Sequence, residues 1–440
     1  MFKTGFYELD ITPPLGGCMP GYFTERHAEG IKRPLFVHAL AVESDGKCVI
    51  IVSVDALGLG EKVYKTAVQR ICEKTGIPEE QILIHATHIH TGGPIRDAED
   101  PPYYKPDLSY YDVHTRKIAD CAILAYQRLA PSTASFAKGE VHGVSFVRNF
   151  LMKDGSIRTN PGRQNPDIVK PISENDPELP AMFFFDEQGN PKGLLVNFTL
   201  HHDCVGGMLY SNDYSGALGN ELKEVFGKDF ITVFMNGTCG NINHVDVNMP
   251  APPDRDISGE IGRKLAEEVK RLYSVAEKFE ISSVASKKER IMIPRHKISK
   301  EDIEEAKRLV ETISLEGKSI DMSNPETEIY KRAKAERLLR FAELPDEFDT
   351  PVQAIRLGKA YLFAVPGEMF AQYGKYMKEN SPSEVNFVAE LANGGPNCYI
   401  PTPDAFAPSV YESQIPSSSL VPEAGEMIAK CAVKLANEIR

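Results

Sequence analysis

The stretch Cys48-Val49-Ile50-Ile51-Val52-Ser53-Val54-Asp55 is an apolar run, rich in β-branched residues, that ends in an acidic side chain. Such a run predicts a buried β-strand. Apolar residues at helical spacing follow over residues 61–74, and a second apolar strand is predicted at residues 81–84. A strand, a helix and a strand in this order are typical of α/β proteins. The stretch therefore predicts a mixed β-sheet core flanked by helices.

The same alternation continues along the chain. Further strands are predicted at residues 194–198, 230–235 and 361–365, and further helices at residues 110–129 and 257–273. Polar residues cluster just after the predicted strands. In open α/β sheets, ligands bind at the edge where strands end in this way.

Three segments depart from the alternation. Residues 299–343 are highly charged and begin with Ser299-Lys300-Glu301-Asp302, which resembles a capping box and predicts a solvated helical excursion. A cover over a substrate mouth is the alternative for this excursion. Long irregular loops are predicted at Asp97–Leu108 and Arg148–Pro180, and loops of this length often bind ligands or act as lids.

Composition excludes several classes of partner. The net charge of −12 leaves no basic excess to neutralise phosphates, so neither nucleic acid nor an anionic membrane is expected. The sequence contains no run of 18 apolar residues, so membrane insertion is not expected. The N-terminus does not resemble a signal peptide, and the eight cysteines are scattered, so we expect a cytoplasmic protein with reduced thiols. Self-association into a homo-oligomer is left open.

The histidines of His85-Ala86-Thr87-His88-Ile89-His90-Thr91-Gly92-Gly93-Pro94 are the first candidate site. On an extended backbone residues i and i+2 share a face, so His88 and His90 are expected to point into one pocket, with His85 facing away. Imidazole is a good zinc ligand. Structural or hydrogen-bonding histidines are the alternative for this motif alone.

A second pair, His201-His202, follows the strand predicted at residues 194–198. Adjacent residues of a strand point to opposite faces, so only one of the pair is expected to join His88. Glu368 follows another apolar strand, although a glutamate there is also a common helix N-terminal charge.

The turn at residues 235–244 (MNGTCGNINH) offers backbone N–H groups and amides that could stabilise an oxyanion. Cys239 within it is a weaker candidate for a nucleophile, since no base at fixed spacing supports it. Asp55 or Asp213 could orient a ligand histidine, with a helix cap or turn residue as the alternative for each.

In order and spacing, the motifs of this chain resemble those of the catalytic domain of the neutral (non-lysosomal) ceramidase family and its bacterial relatives. The resemblance covers most of the chain and implies one catalytic domain over residues 1–440. Its carriers are Ile11-Thr12-Pro13-Pro14, Ala86–Pro94, Arg148 ahead of Met152-Lys153-Asp154-Gly155, Asn197–His201, Gly240-Asn241-Ile242-Asn243, Pro366-Gly367-Glu368 and Cys398–Thr402.

The resemblance implies a zinc ion (Zn2+) held by two histidines, a glutamate and a tyrosine. The matching positions are His88, His201, Glu368 and Tyr399, with His202 as the alternative to His201. It also implies that His90 and Arg148 hold oxygen atoms of the substrate or the transition state.

The sequence departs from the family pattern where ceramidases carry a catalytic serine, because this chain has Asn243 there. It also ends near the catalytic domain. We therefore expect a ceramidase-like zinc hydrolase, distinct from a ceramidase proper, in which zinc-bound water attacks the scissile carbonyl. His90 is the expected general base, with Asp203 or His244 as alternatives.

Arg148, Asn241 and the amides around it are expected to stabilise the oxyanion. The expected substrate is a small polar molecule with a non-peptide amide, such as an N-acyl or N-acetyl group. Three alternatives stay open: an esterase or lactonase at the same zinc, a non-catalytic carbohydrate- or metabolite-binding relative, and, more weakly, an amidohydrolase barrel.

Overall fold

The computed structural model of the protein describes residues 2–22, 26–93, 108–314, 327–415 and 417–440. The strands are β1 (Phe2–Asp10), β2 (Gly30–Ile31), β3 (Phe36–Ser44), β4 (Lys47–Val54), β5 (Ile82–Ala86), β6 (Ala130–Glu140), β7 (Phe146–Val147), β8 (Asn149–Met152), β9 (Ile157–Thr159), β10 (Ile168–Pro171), β11 (Glu178–Phe185), β12 (Pro191–Phe198), β13 (Leu209–Tyr210), β14 (Ile231–Asn236), β15 (Ile242–Asn243), β16 (Glu277–Phe279), β17 (Val284–Pro294), β18 (Glu347–Leu357), β19 (Ala360–Ala364), β20 (Glu368–Met369), β21 (Asn386–Ala389) and β22 (Tyr399–Ile400). The helices are α1 (Glu61–Thr75), α2 (Leu108–Gln127), α3 (Asp213–Phe226), α4 (Ile257–Val275), α5 (Lys300–Thr312), α6 (Glu328–Ala342), α7 (Ala371–Glu379) and α8 (Ala424–Glu438), and short 3-10 turns lie at Glu79–Gln81, Pro403–Ala405 and Tyr411–Ser413.

A large mixed sheet forms the centre of the fold. Its strands lie in the order β14-β12-β11-β6-β1-β3-β4-β5, and β16 adds to β6 at one side. The outer pairs, β12 with β14 and β4 with β5, are parallel, whereas the pairs between them are antiparallel. The two parallel pairs therefore lie at opposite ends of the strand order, separated by five antiparallel pairings.

A second sheet, in the order β17-β18-β19-β21, packs face to face on the first. Leu40 and Leu195 of the large sheet and Leu362 and Phe387 of the second sheet share one buried apolar cluster. Burial on both faces explains why these strands are almost entirely apolar in sequence.

Helices cover the outer faces of both sheets. Helices α1 and α2 bury apolar residues against one half of the large sheet, and α3 and α4 do so against the other half. Helix α8 packs on the second sheet. The protein is thus a four-layer arrangement of helices, sheet, sheet and helices, which confirms the predicted mixed β-sheet core flanked by helices. The prediction of one domain over residues 1–440 stays a prediction.

The strongly periodic segments lie close to their predicted bounds, as β4, α1 and β5 show. The charged excursion is helical as well, since α5 and α6 pack on each other. Ser299 caps α5, because its Oγ accepts a hydrogen bond of 3.0 Å from the backbone N–H of Asp302, although the Asp302 side chain contacts the Ser299 hydroxyl and not its backbone as in a full capping box. The loop predicted at Asp97–Leu108 lies outside the described residues, apart from the start of α2.

The prediction of an irregular loop over Arg148–Pro180 is wrong. This segment contains β8, β9 and β10, which form a small antiparallel sheet, and it runs into β11. These three strands are three or four residues long and mix polar with apolar side chains, so the sequence shows no strand periodicity there.

In the described part of the chain, no helix combines the length and the apolar character needed to cross a membrane.

Candidate metal centre

The two histidine groups meet where the parallel outer pairs of the large sheet end. His88 and His90 follow β5, and His201 follows β12. The ring centroids of His88 and His201 are 4.4 Å apart, and those of His88 and His90 are 5.0 Å apart. Ligand nitrogens of these three buried histidines all lie within 4.8 Å of one another, so the group could hold a metal ion.

His88 and His90 converge through a turn of the chain. Strand β5 ends at Ala86, and His88 has a φ of 72°, in the left-handed region that side chains other than glycine rarely adopt. The expected convergence is therefore present, but strand alternation is the wrong reason for it. Backbone strain of this kind clusters at functional sites.

Carbonyl groups fix the orientation of both rings. Nδ1 of His88 lies 2.7 Å from the carbonyl oxygen of Leu57, and Nδ1 of His201 lies 3.3 Å from that of Cys239. A carbonyl only accepts, so each Nδ1 carries the proton and each Nε2 presents a lone pair. The two Nε2 atoms are 2.9 Å apart.

Glu368, at the start of β20, adds a carboxylate to this pair. Its Oε2 lies 3.1 Å from Nε2 of His88 and 3.7 Å from Nε2 of His201. Burial alone raises the pKa of Glu368, but His88, Tyr399 and Arg148 outweigh it and lower the pKa to about 2. Three acceptor atoms therefore converge in a buried place, which favours a cation between them.

Tyr399 lies beside Glu368, because β22 pairs with β20 and sets the two residues opposite each other. Its hydroxyl is close enough to Glu368 and Arg148 to lower the pKa of the one and raise that of the other, and the guanidinium carbon of Arg148 lies 5.3 Å from the centroid of its ring. Burial raises the pKa of Tyr399 well above its ordinary value, and Arg148 acts against this rise. The fourth residue of the expected ligand set is thus in contact with the third.

Arg148 is buried behind Tyr399. Its Nε donates to Glu412 Oε1 at 2.7 Å, and its Nη2 donates to the carbonyl oxygen of Gly240 at 2.7 Å. Burial acts to lower the pKa of Arg148, but Tyr399 and Glu412 raise it well above its ordinary value. The guanidinium is thus held by two hydrogen bonds beside the ring of Tyr399.

His90 differs from the other two histidines in what its free nitrogen meets. Its Nδ1 lies 2.9 Å from the carbonyl oxygen of Gly21, so Nε2 again carries the lone pair. That Nε2 is buried and has no hydrogen-bond partner among the described residues. Burial lowers the pKa of His90 to about 4, against the opposing charge of Asp203.

His202 is turned away from this group. Its ring stacks on Tyr214, with centroids 4.0 Å apart, and neither of its nitrogens has a partner in the described structure. The structure therefore brings His201, and not His202, to His88. This is the arrangement that opposite faces of a strand end produce.

The asparagines after β14 serve the surrounding loops. The amide of Asn241 donates to Ser173 and Gln372, and its oxygen accepts the backbone N–H of Ala371. Asn243 donates to Asn160 at 2.9 Å. Neither side chain has a contact to the histidines among its hydrogen bonds.

The expected oxyanion site in the turn at residues 235–244 finds little support in the hydrogen bonding. The backbone N–H groups of Gly237, Cys239 and Gly240 are already bonded, to Phe198, Glu390 and Met369 respectively. A backbone N–H group that already donates a hydrogen bond within the fold cannot donate to an oxyanion without losing that bond.

The other candidates also have structural partners. Burial raises the pKa of Cys239 well above its ordinary value, which disfavours the thiolate that a nucleophile needs. Asp55 accepts from the backbone of Phe36 and from Thr87, and Asp213 accepts from the backbone of residues 204, 205 and 214. Because carbonyls hold the ligand rings, the prediction that these aspartates orient them is wrong.

The sequence reasoning missed two buried glutamates. Glu412 lies in a 3-10 turn 264 residues after its partner Arg148, and no local signal marks it. Glu390 directly follows the apolar strand β21. That is the same signal that pointed to Asp55 and Glu368, and it could have found Glu390.

No family model matches the chain. It is 23% identical to neutral ceramidase of Pseudomonas aeruginosa over 256 residues, which are 55% of this chain and 37% of that protein. It is 25% identical to neutral ceramidase 2 of Arabidopsis thaliana over 236 residues, 51% of this chain and 30% of the relative. The matched region thus spans about a third of the length of these curated relatives.

Solved structures match over a longer range. The crystal structure of neutral ceramidase from Pseudomonas aeruginosa superposes with a TM-score of 0.75 and 19% identity, over 99% of this chain and 74% of that one. A ceramidase complexed with C2 gives the same TM-score at 18% identity. The chain therefore has the fold of neutral ceramidase and is similar to neutral ceramidases in sequence.

Proposed function

We propose that the protein is a zinc-dependent hydrolase that cleaves a non-peptide amide, with zinc held by His88, His201, Glu368 and Tyr399. The observation that carries this proposal is the convergence of three acceptor atoms, 2.9 to 3.7 Å apart, with no proton between them to share. The names of the relatives support amide cleavage as the reaction, because the ceramide that a ceramidase acts on is an N-acyl amide.

The residues fit zinc in chemistry and in spacing. Imidazole nitrogen and carboxylate oxygen are ordinary zinc ligands, and bonds of about 2.0–2.2 Å at tetrahedral angles put neighbouring ligand atoms about 3.4 Å apart. The three measured separations bracket that distance. Zinc bound there would supply a Lewis acid that acidifies water and polarises a carbonyl.

His90 is the residue we propose as general base. Its Nδ1 is fixed by Gly21, so its free Nε2 is aimed without competition from another partner. The imidazole would take a proton from the attacking water and return it to the leaving amine. Its ring centroid lies 5.2 Å from that of His201, which keeps it next to the ligands.

Arg148 acts through Tyr399 in this proposal. The guanidinium would hold the tyrosine hydroxyl toward Glu368 and would place a buried positive charge near the carbonyl of a bound substrate. Such a fixed charge in a dry site stabilises a developing oxyanion. Glu412 holds Arg148 from behind.

We propose that the leaving group of the substrate is a polar amine. Tyr22 lies next to His90, with ring centroids 5.5 Å apart, and its hydroxyl donates to Asp203. His244 is close enough to Asp203 for the carboxylate to raise its pKa, against the lowering effect of burial. These polar side chains near His90 suit hydroxyl and amine groups of a substrate. We therefore favour a small N-acyl or N-acetyl amine as the substrate over a long-chain ceramide.

Hydrolysis assays on the zinc-loaded protein test the proposal. Matched amide and ester substrates would be compared, with an N-acetyl amino sugar and a long-chain ceramide as the two amide arms. We expect amide cleavage that a chelator abolishes, that zinc restores and that His88→Ala loses. Cleavage of the ester alone would favour an esterase, and tight binding of a sugar without turnover would favour a non-catalytic protein; either would overturn the proposal.

A cytoplasmic location is also proposed. All eight cysteines lie in the described residues and none forms a disulfide, which is usual for proteins of reducing compartments.

A further inference from the structure

A carboxyl group with neutral partners lies buried beneath His201. Glu390 is fully buried, and its Oε2 accepts the backbone N–H of Cys239 at 3.0 Å. Its Oε1 accepts from the thiol of Cys239 at 2.9 Å and from Nδ2 of Asn236 at 3.3 Å. The carboxyl group therefore grips Cys239 by both its backbone and its side chain.

This arrangement is costly, and the proposed reaction does not use it directly. A buried carboxylate without a cationic partner loses its hydration, and burial accordingly raises the pKa of Glu390 well above its ordinary value. An apolar side chain could fill this position at a lower cost in free energy than a carboxyl group. The glutamate at this position is best explained by the hydrogen bonds through which it holds Cys239.

Cys239 connects Glu390 to the proposed metal ligand. The thiol sulfur lies 3.4 Å from Nδ1 of His201, and the carbonyl oxygen of the same cysteine lies 3.3 Å from that nitrogen. Nδ1 can therefore donate to Cys239, while the thiol proton of Cys239 points to Glu390. A continuous chain of contacts runs from the ligand ring to the buried acid.

We propose that Glu390 is a positioning residue that acts through Cys239 to hold His201 with its proton on Nδ1 and its Nε2 directed at the metal. The inference rests on the metal centre of the proposed function. Carboxylates that contact a ligand histidine directly are familiar at zinc sites, and removing them typically weakens metal binding by about 10- to 100-fold. Here a cysteine stands between the two.

Zinc affinity, measured by competition with a chromogenic chelator at fixed pH, tests this role without relying on turnover. Glu390→Ala is expected to weaken zinc binding by about 10- to 100-fold. Glu390→Gln keeps an acceptor oxygen of the same reach and is expected to stay within a few-fold of the wild type. Asp176→Asn is the matched control, because Asp176 is buried and pairs with Lys378 by a 2.7 Å bond outside the metal centre.

The double variant Glu390→Ala, Cys239→Ala shows whether the effect runs through the thiol. If Glu390 acts through Cys239, Cys239→Ala alone also weakens zinc binding, and the double variant binds zinc no more weakly than Glu390→Ala, because coupled residues are not additive. The inference is overturned if folded Glu390→Ala binds zinc like the wild type, or if Asp176→Asn and Glu390→Gln lose affinity equally. If instead the wild type binds no zinc, the proposed function itself fails.

Discussion

At the scale of single residues, the centre depends on how each imidazole is held from behind. Leu57, Cys239 and Gly21 offer carbonyl oxygens to Nδ1 of His88, His201 and His90 respectively. The three rings therefore share one tautomer, and three Nε2 lone pairs face a common space. His90 stands apart in the proposal because Glu368 contacts the other two rings.

Replacing His90 by Gln tests this division of roles. The amide keeps much of the volume but cannot take up a proton at neutral pH, so kcat should fall by about 10²- to 10⁴-fold. Zinc content should stay at the wild-type value, since His90 is not among the proposed ligands. Steady-state kinetics and metal analysis of the same sample measure both. Loss of zinc, or an unchanged kcat, would contradict the assignment.

At the scale of elements, the turn after β14 packs closely against β20, and this packing positions Glu368 beside the histidines. A Cβ atom at Gly240 would lie 2.3 Å from the carbonyl oxygen of Glu368 and 3.0 Å from that of Met369. Both are backbone atoms, which cannot rotate away. Glycine at this position therefore lets the two segments approach closely enough to set the carboxylate beside the histidines.

Gly240→Ala should displace the start of β20 and weaken zinc binding by at least about tenfold, as expected when a ligand loses its support. Gly219→Ala is the matched control, because no atom lies within 4 Å of a Cβ at that position of α3. There alanine should stabilise the protein by about 0.5–1 kcal/mol. Chelator competition and thermal unfolding report on both variants. Equal zinc affinity in the two would refute the packing argument.

Strand β17 carries a buried cation that makes stability depend on pH. The side chain of Lys288 is 6% exposed, and its Nζ donates to the carbonyl oxygen of Glu79 at 3.1 Å. Burial lowers the pKa of Lys288 to about 8, against the attraction of Glu79. The ordinary lysine pKa is about 10.4, so between these values the folded state binds fewer protons than the unfolded state, and the free energy of unfolding rises with pH.

The cost of the buried charge is fully present below pH 8 and disappears as the pH rises through about 10.4, a change of about 3 kcal/mol. Lys288→Met lacks this titration. The difference in unfolding free energy between wild type and variant should therefore shift by about that amount between pH 7 and pH 10.5, measured by urea unfolding. Lys434→Met, at an exposed ion pair, serves as control. A difference that does not change with pH would contradict the assignment.

At the scale of the whole molecule, two stacked sheets bring together residues that are far apart in the sequence. His88, His201, Glu368 and Tyr399 span more than 300 positions, yet they meet because the segments after β5 and β12 converge and the pairing of β20 with β22 sets Glu368 opposite Tyr399.

Local patterns predicted what local physics decides. The apolar run of β4 and the helical spacing of α1 depend on neighbours in sequence, and both lie within a residue or two of their expected bounds. The polar residues that follow strands include His88, His201 and Glu368, which the structure brings together. Order and spacing of short motifs, by resemblance, supplied Tyr399 and Arg148, which no local rule singles out.

Nonlocal packing decided the rest. Glu412 is meaningful only because a 3-10 turn carries it back to Arg148, and the turn at His88 depends on hydrogen bonds to Ala56 and Leu57 from another loop. The face-to-face packing of two sheets likewise depends on which antiparallel strands pair. Periodicity gives the strands but not their partners.

The zinc content of the purified protein tests the central claim most directly. It would be measured by elemental analysis of the wild type, His201→Ala and His202→Phe, the last of which keeps an aromatic ring stacked on Tyr214. We expect about one zinc per chain in the wild type and in His202→Phe, and none in His201→Ala, because a zinc site that loses one of its few protein ligands no longer holds the ion. A wild-type protein that holds no zinc, or a His201→Ala variant that keeps it, would contradict the account.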